Sequence, residues 1–339
     1  MTPQPRVTVL IDSYNYGHFI EEAIDSVLSQ DFPSEQLELL VVDDGSTDDT
    51  AARVRKYGSR ITYLYKPNGG QASAFNLGFA HARGEILAFL DADDYWLPGK
   101  LKRIIAEFAQ HPEAAMVYHR LQEYDMHTGE RRDGFFLPIS GDVAANPNAL
   151  LSYVLFPTSA LAFRKLSVAP LFPIPEVLTI QADSHLSGLI IFLAPIAAIS
   201  ESLAVYRIHA DNLFHPSGAD QDIARTERRI STRKTLTGDM KNWLTAHGRD
   251  LSDPALHALF MQWHLTQEAD QFQLHPPGRF RLFRHLWRYN IYFRARMTRR
   301  HLLVNYAQAV ASLALGYEHL GRFDDFLRYT RRILGRRTV

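Results

Sequence analysis

The sequence predicts an α/β protein: a mostly parallel central sheet with helices on both faces, followed by a C-terminal α-helical region. Two observations carry this. Within residues 1–115, four short apolar or β-branched runs each feed a segment whose apolar residues recur at helical spacing. Beyond about residue 220 strand-like runs nearly vanish, and long helix-compatible stretches are separated by breakers such as "HGRDLSDP" and "HPPG".

The first run is "VTVLI" (7–11). After Gly17 come Phe19, Ile20, Ala23, Ile24, Val27 and Leu28, the apolar stripe of an amphipathic helix. "LELLVV" then precedes a helix over about 47–57, "ITYLY" one over about 71–82, and "EILAFL" one that starts near Gly99. Strand-helix alternation of this kind gives crossover connections and therefore parallel neighbours. From Met116 to Leu213 the pattern loosens into shorter strands and Pro-punctuated loops, "LFPTSALAF" and "LFPIPE" among them, and reads as the second half of the same domain. "LSGLIIFLAPIAAIS" (186–200) contains Pro195 and falls short of the roughly 20 residues that span a bilayer, so it predicts a core helix and then a buried strand. The expected division is 1–219, with halves 1–115 and 116–219, and a basic helical region 220–339.

Composition narrows the chemistry. A chain of 339 residues, 46% apolar, can bury a sizeable core. With no cysteine, disulfides, thiolate metal sites and a cysteine nucleophile are excluded, and any metal must take oxygen or imidazole ligands. The N-terminus lacks the basic-then-apolar pattern of a secretory signal, so a cytoplasmic location is expected. The net charge of zero hides an asymmetry: residues 1–224 carry 16 Lys/Arg against 28 Asp/Glu, and residues 225–339 carry 21 against 9.

In open parallel sheets ligands bind where the strands end and helix N-termini point outward. The polar stretches after the four runs are "DSYN" (12–15), "DDGSTDD" (43–49), "KPNGGQASAFN" (66–76) and "DADDYW" (91–96), and they should converge on one rim. Each has a plain structural alternative. "DDGSTDD" makes a turn with Ser46 or Thr47 capping the next helix, "NGGQASAFN" is a glycine turn, and isolated D-x-D pairs are common in solvated loops. Position favours more for the last. Adjacent carboxylates at the end of a buried strand repel one another and lose hydration unless a cation or hydrogen-bond donors compensate. Oxygen ligands suit Mg²⁺ or Mn²⁺, which bridge carboxylates to phosphates.

"VTVLIDSYNYGHFIEEAIDSVLSQ", "LELLVVDDGSTDDT", "NGGQASAFNLGFAHARGEILAFLDADDYWLPGKL" and the later "LAVYRIH" together resemble the family 2 glycosyltransferases of the GT-A fold. The likeness covers about residues 5–105 and continues more weakly to about 213. It implies an inverting transfer of a sugar from a nucleotide-diphosphate donor, UDP the expected nucleotide, to an acceptor hydroxyl on a saccharide or lipid-linked saccharide. Polysaccharide, glycolipid or glycoconjugate synthesis is the expected setting. It implies a divalent metal, Mn²⁺ or Mg²⁺, on the diphosphate. By position, Ser13, Tyr14 and Asn15 line the base pocket together with a carboxylate of the Asp43–Asp44 pair. Asp91 lies near the ribose and Asp93 ligates the metal, with His209 beside metal or diphosphate. Asp94, Tyr95, Trp96 and Arg207 face sugar and acceptor.

Asp183, in "LTIQADSHLSGL", stands where relatives carry the general base. Two departures matter. Ala182 replaces the first member of the usual acidic pair, which keeps open a degenerate protein that binds a nucleotide sugar, or acts as a scaffold, without transfer. Asp12 stands where "PTYN" has proline, and the sequence assigns it no role. Phosphatases with an aspartate nucleophile carry their D-x-D after the first strand, whereas here it follows the fourth.

The basic C-terminal region interleaves Arg with aromatics in "GRFRLFRHLWRYNIYFRARMTRRHLL". Intramolecular or homodimer packing and peripheral association with the inner face of the membrane are its two readings; nucleic acid is not an expected partner.

Overall fold

The computed structural model describes residues 5–134, 136–210, 212, 223–293 and 299–315. Its strands are β1 (Val7–Ser13), β2 (Leu37–Asp43), β3 (Thr62–Tyr65), β4 (Ile86–Asp91), β5 (Tyr95–Trp96), β6 (Met116–Asp125), β7 (Arg131–Asp133), β8 (Leu161–Arg164) and β9 (Ile196–Ile208). The helices are α1 (Gly17–Leu28), α2 (Thr50–Arg55), α3 (Gln71–His81), α4 (Lys100–Gln110), α5 (Pro147–Ser152), α6 (Lys165–Val168), α7 (Ala182–Ile190), α8 (Ile223–Ala246), α9 (Pro254–Leu274), α10 (Arg279–Phe293) and α11 (Arg299–Leu315).

Among the described residues one nine-stranded sheet runs in the order β3-β2-β1-β4-β8-β6-β9-β5, with β7 beside β6. The four expected runs are its parallel half: β1 pairs in parallel with β2 and β4, and β2 with β3. β1 and β2 read as near-continuous apolar runs because both faces are covered; from Val7 to Ile11 every residue of β1 is buried. The second half adds β8, antiparallel to β4 and β6, and the long β9, parallel to β6. A register shift around Arg120 lets β9 run on to pair with β5 through Tyr95 and Trp96. That pairing brings the "YRIH" segment back to the turn after β4. "LSGLIIFLAPIAAIS" does divide into the end of α7 and the start of β9.

One local expectation is corrected. α2 begins only at Thr50, and neither Ser46 nor Thr47 caps it. Ser46 Oγ instead accepts from the Asn15 amide (2.9 Å), while Asp48 takes the amides of Gly17 (2.9 Å) and Thr50 (3.0 Å). The polar residues of that loop tie β1 to β2 across the sheet and leave the helix end to Asp48.

The chain divides into two compact units. One comprises Met1–Ala149, Tyr153–Asp220 and Gly238–Met240; the other comprises Leu150–Ser152, Gln221–Thr237 and Lys241–Val339. The expected boundary at 219/220 lies outside the described residues. In the second unit α9 starts on Asp253, whose carboxylate accepts from the amides of Ala255 (2.9 Å) and Leu256 (3.1 Å), with Pro254 first in the helix. Within this unit Glu268 of α9 meets His285 of α10 (2.9 Å), and Trp287 of α10 meets Tyr306 of α11 ring to ring (5.0 Å).

Candidate active site

Parallel, in-register strands end at one level, which is why the polar stretches gather. Ser13 is paired with Asp43 across β1 and β2, and Asp12 with Asp91 across β1 and β4. The first two loops are also stitched together. Asn15 takes a left-handed φ of 58°, which asparagine tolerates, and its side-chain oxygen accepts from the Thr47 amide (2.7 Å). Tyr14 is exposed at the rim, while Ser13 is buried beneath it.

Asp43 and Asp44 are buried and fully engaged within the loops. Asp43 accepts from the Ser46 amide (2.7 Å) and the Tyr63 hydroxyl (2.6 Å). Asp44 receives Lys66 Nζ (2.6 Å) and the amides of Gly69 (2.9 Å) and Gly70 (2.7 Å). Both carboxylates thus fix the shape of the loops that follow β2 and β3. Gly70 has φ 85°, and a Cβ there would stand 2.5 Å from the Thr179 Cα, so only glycine allows this close approach.

The turn after β4 concentrates charge. Asp91, Asp93 and Asp94 each offer a carboxylate oxygen within 4.8 Å of the others. Asp12 adds a further carboxylate whose Oδ1 is buried without a hydrogen-bond partner. Burial, then the charge of Asp93, pushes the Asp12 carboxyl up to about 7. Burial, then Asp12, raises Asp91 well above the ordinary carboxylate range. Asp94 is raised too, by burial and then Asp93, although Ser159 and Arg207 oppose this with hydrogen bonds.

The members of the turn face different ways. Asp94 is fully buried, with Oδ2 accepting from Ser159 Oγ (2.6 Å) and Oδ1 from the Arg207 amide (2.9 Å). Trp96 is buried under Lys100, whose Nζ stands 4.1 Å from the ring and donates to the Ser159 carbonyl (2.7 Å). Arg207, also buried, donates to the Asp93 carbonyl (2.8 Å), pairs with Glu22 and lies over the rings of Phe19 and Tyr95. Of the four residues expected to face sugar and acceptor, only Tyr95 is part-exposed, and its hydroxyl accepts from Arg131 (2.8 Å). The cause is the β5–β9 pairing, which the sequence did not disclose: it turns Asp94, Trp96 and Arg207 inward as the clamp that fixes the turn.

Asp93 keeps company with imidazole. His209 Nε2 lies 3.1 Å from Asp93 Oδ2, with Asn212 Nδ2 at 3.4 Å from the same oxygen. Carboxylate oxygens and an imidazole form a donor set suited to a hard divalent ion, and a cation among them would favour the ionised forms of Asp12 and Asp91 that burial disfavours. Asp94, with both oxygens taken, is the member least able to join.

Asp183 lies in the first turn of α7, electrostatically felt by both Asp12 and Asp91. Burial raises its carboxyl to about 6, against hydrogen bonds from Ser184 and Thr158. The Thr158 amide (3.1 Å) and hydroxyl (3.3 Å) both donate to its Oδ2. Gln71 links this acid to the β4 turn: Nε2 donates to Thr158 Oγ1 (3.1 Å) and reaches Asp91 Oδ1 (3.5 Å), while Oε1 accepts from the Ala182 amide (3.0 Å). Sequence reasoning missed Gln71, Thr158, Ser159, Lys100 and Asn212. Gln71 sat in a quoted motif read as a turn; Thr158 and Ser159 carried no signal beyond small polar residues after a proline.

Comparison with known proteins agrees with this architecture. "Glycosyl transferase family 2" matches residues 8–167. An uncharacterized glycosyltransferase from Nostoc sp. is 38% identical over 218 residues, which are 61% of this chain and 66% of that relative's own length. S. aureus TarS 1-349 superposes with a TM-score of 0.61 at 20% identity, covering 91% of this chain and 90% of TarS 1-349; it is also known in complex with UDP and with UDP-GlcNAc. The mannosyltransferase PcManGT from Pyrobaculum calidifontis, in complex with GDP-Man and Mn²⁺, gives a TM-score of 0.55 at 21% identity over 97% of this chain and 81% of its own. Fold, loop order and sequence match converge: the chain carries the GT-A fold, and its residues 8–167 match the family 2 glycosyltransferases.

Proposed function

We propose that the protein transfers a sugar from a nucleotide-diphosphate donor, with UDP the preferred nucleotide, to an acceptor hydroxyl with inversion at the anomeric carbon. The observation that supports this is the joining of Asp183 to Asp91 through Thr158 and Gln71: hydrogen bonds link a carboxyl raised to about 6 to the acidic turn where a diphosphate-bound cation would fit. The complexes of TarS with UDP and UDP-GlcNAc, and of PcManGT with GDP-Man and Mn²⁺, support a nucleotide-sugar donor.

In this reading Asp93 and His209 would hold the ion, and Asp91 would lie toward the ribose. Ser13, Tyr14 and Asn15 line the base pocket, whose floor Asp43 and Asp44 organise. Bound Mn²⁺ or Mg²⁺ would neutralise the charge gathering on the leaving diphosphate. Asp183 accepts the proton of the acceptor hydroxyl as its oxygen bonds to the anomeric carbon from the face opposite the diphosphate, whose bond to that carbon breaks. Tyr95 borders the acceptor side. The acceptor is a saccharide or a lipid-linked saccharide.

The test is a panel of UDP-, dTDP- and GDP-sugars with Mn²⁺ or Mg²⁺, read by thermal shift and by slow donor hydrolysis. Asp93→Ala should abolish metal-dependent nucleotide binding, and Asp183→Ala should keep binding but lose transfer. Metal-dependent binding with no hydrolysis or transfer from any donor would instead establish the degenerate, binding-only protein.

A further inference from the structure

We propose that the outer face of the α10–α11 pair docks on an anionic lipid surface. α10 has two unlike faces. Leu282, His285, Asn290 and Phe293 are buried, with His285 against Glu268 and the Phe272 ring of α9. Opposite them, Phe280, Arg284, Trp287 and Ile291 follow one another at i, i+4, i+7 and i+11, and all are exposed. Leu303, Ala307, Val310 and Leu313 form the corresponding exposed stripe of α11, while Ala309 and Ser312 are buried. Phe280 and Leu303 stand 72% and 73% exposed, each within a run of exposed apolar residues along its helix rather than singly.

Charge selects the occupant. Residues 279–315 contain eight arginines and no aspartate or glutamate. A second copy packing through the same face would bring like charges together with no acidic residue of α10 or α11 to pair them, because a two-fold contact must be self-complementary. A bilayer carrying anionic headgroups meets both properties at once: aromatic and aliphatic side chains enter the headgroup boundary, and arginines extend to the phosphates. Binding would be peripheral, since among the described residues no helix is long and apolar enough to cross a membrane. Nothing in this inference depends on the transferase reading.

Flotation of the full chain with vesicles of phosphatidylcholine, alone or mixed equally with phosphatidylglycerol, tests it. Flotation is expected only with the anionic vesicles and should weaken as salt rises. Replacing Phe280 and Leu303 together by Ser should lower vesicle binding by about tenfold or more. Arg284→Ala should lower it about fivefold at low salt. Unchanged melting curves by circular dichroism establish that the variants fold. The proposal is overturned by an absence of flotation at low salt, by equal flotation with neutral vesicles, or by undiminished binding of the Ser double variant, the behaviour of a purely polyanion-binding surface. It is likewise overturned if light scattering shows lipid-free self-association that the double variant abolishes, since the face would then belong to a second copy.

Discussion

Replacing Asp183 by Asn separates the function of this carboxyl from its cost to the fold. Burial lifts the group from 3.8 to about 6, and each tenfold step in proton affinity is worth about 1.4 kcal/mol, so its ionised form costs about 3 kcal/mol. The sign follows from linkage. A group whose folded value lies above its unfolded value contributes stability at low pH and loses that contribution as pH rises through the folded value. Asn at this position does not titrate. Its altered hydrogen bonds to Thr158 and Ser184 give an offset independent of pH, whereas the stability difference from wild type should move by about 3 kcal/mol in favour of the variant between about pH 4 and pH 7.5. Denaturant unfolding at several pH values without metal, with wild type and variant side by side, measures that movement. Transfer should fall by about 10²–10⁴-fold in the variant, the usual worth of a general base. A stability difference that stays flat across the range would refute the burial argument, and a variant that still transfers at the wild-type rate would refute the assignment of the base.

Thr158→Val removes the hydroxyl bond to Asp183 but keeps the amide bond, so the acid should rise further and the ascending limb of the pH–rate profile should move up by about half a pH unit to one. Gln71→Met cuts the links to Thr158, Asp91 and the Ala182 amide; we expect kcat to drop about tenfold while the donor KM stays within about threefold, since positioning rather than binding is lost. Steady-state kinetics over donor concentration separates the two effects. Gly70→Ala should destabilise by about 1–3 kcal/mol or prevent folding, because its backbone is left-handed and the new Cβ would meet Thr179; a melting curve decides it.

The parallel half of the sheet was legible because its signals are local. Apolar runs, helical spacing and the polar residues after each run lie within a few residues of one another, and register then brings Asp12, Asp43 and Asp91 to one rim without further information. What was illegible depended on distant partners. Asp44 reads as a free acid until Lys66 and the Gly69–Gly70 amides fold onto it. Arg207 reads as a residue facing sugar and acceptor until β9 pairs with β5 and draws it beneath Asp93. Gln71 is unremarkable in its motif; its role arises 111 residues away, at the Ala182 amide. Asp12, left without a role by sequence, stands part-buried beside Asp91 at the ends of paired strands.

The placement of Asp12 also explains why the site is built against the stability of its own fold. Asp12, Asp91 and Asp183 are all raised by burial first, and the charge of Asp183 adds to the rise of the other two. No hydrogen-bond donor was placed on Asp12 Oδ1, although Asp94 nearby is fully matched by Ser159 and the Arg207 amide. Matched and incompletely matched acids therefore stand at the ends of neighbouring strands. The matched one holds the loop's shape in the absence of ligand. Asp12 and Asp91 instead stand as raised carboxyls at the strand ends, so a cation bound beside them would favour their ionised forms and recover as affinity what burial costs the fold.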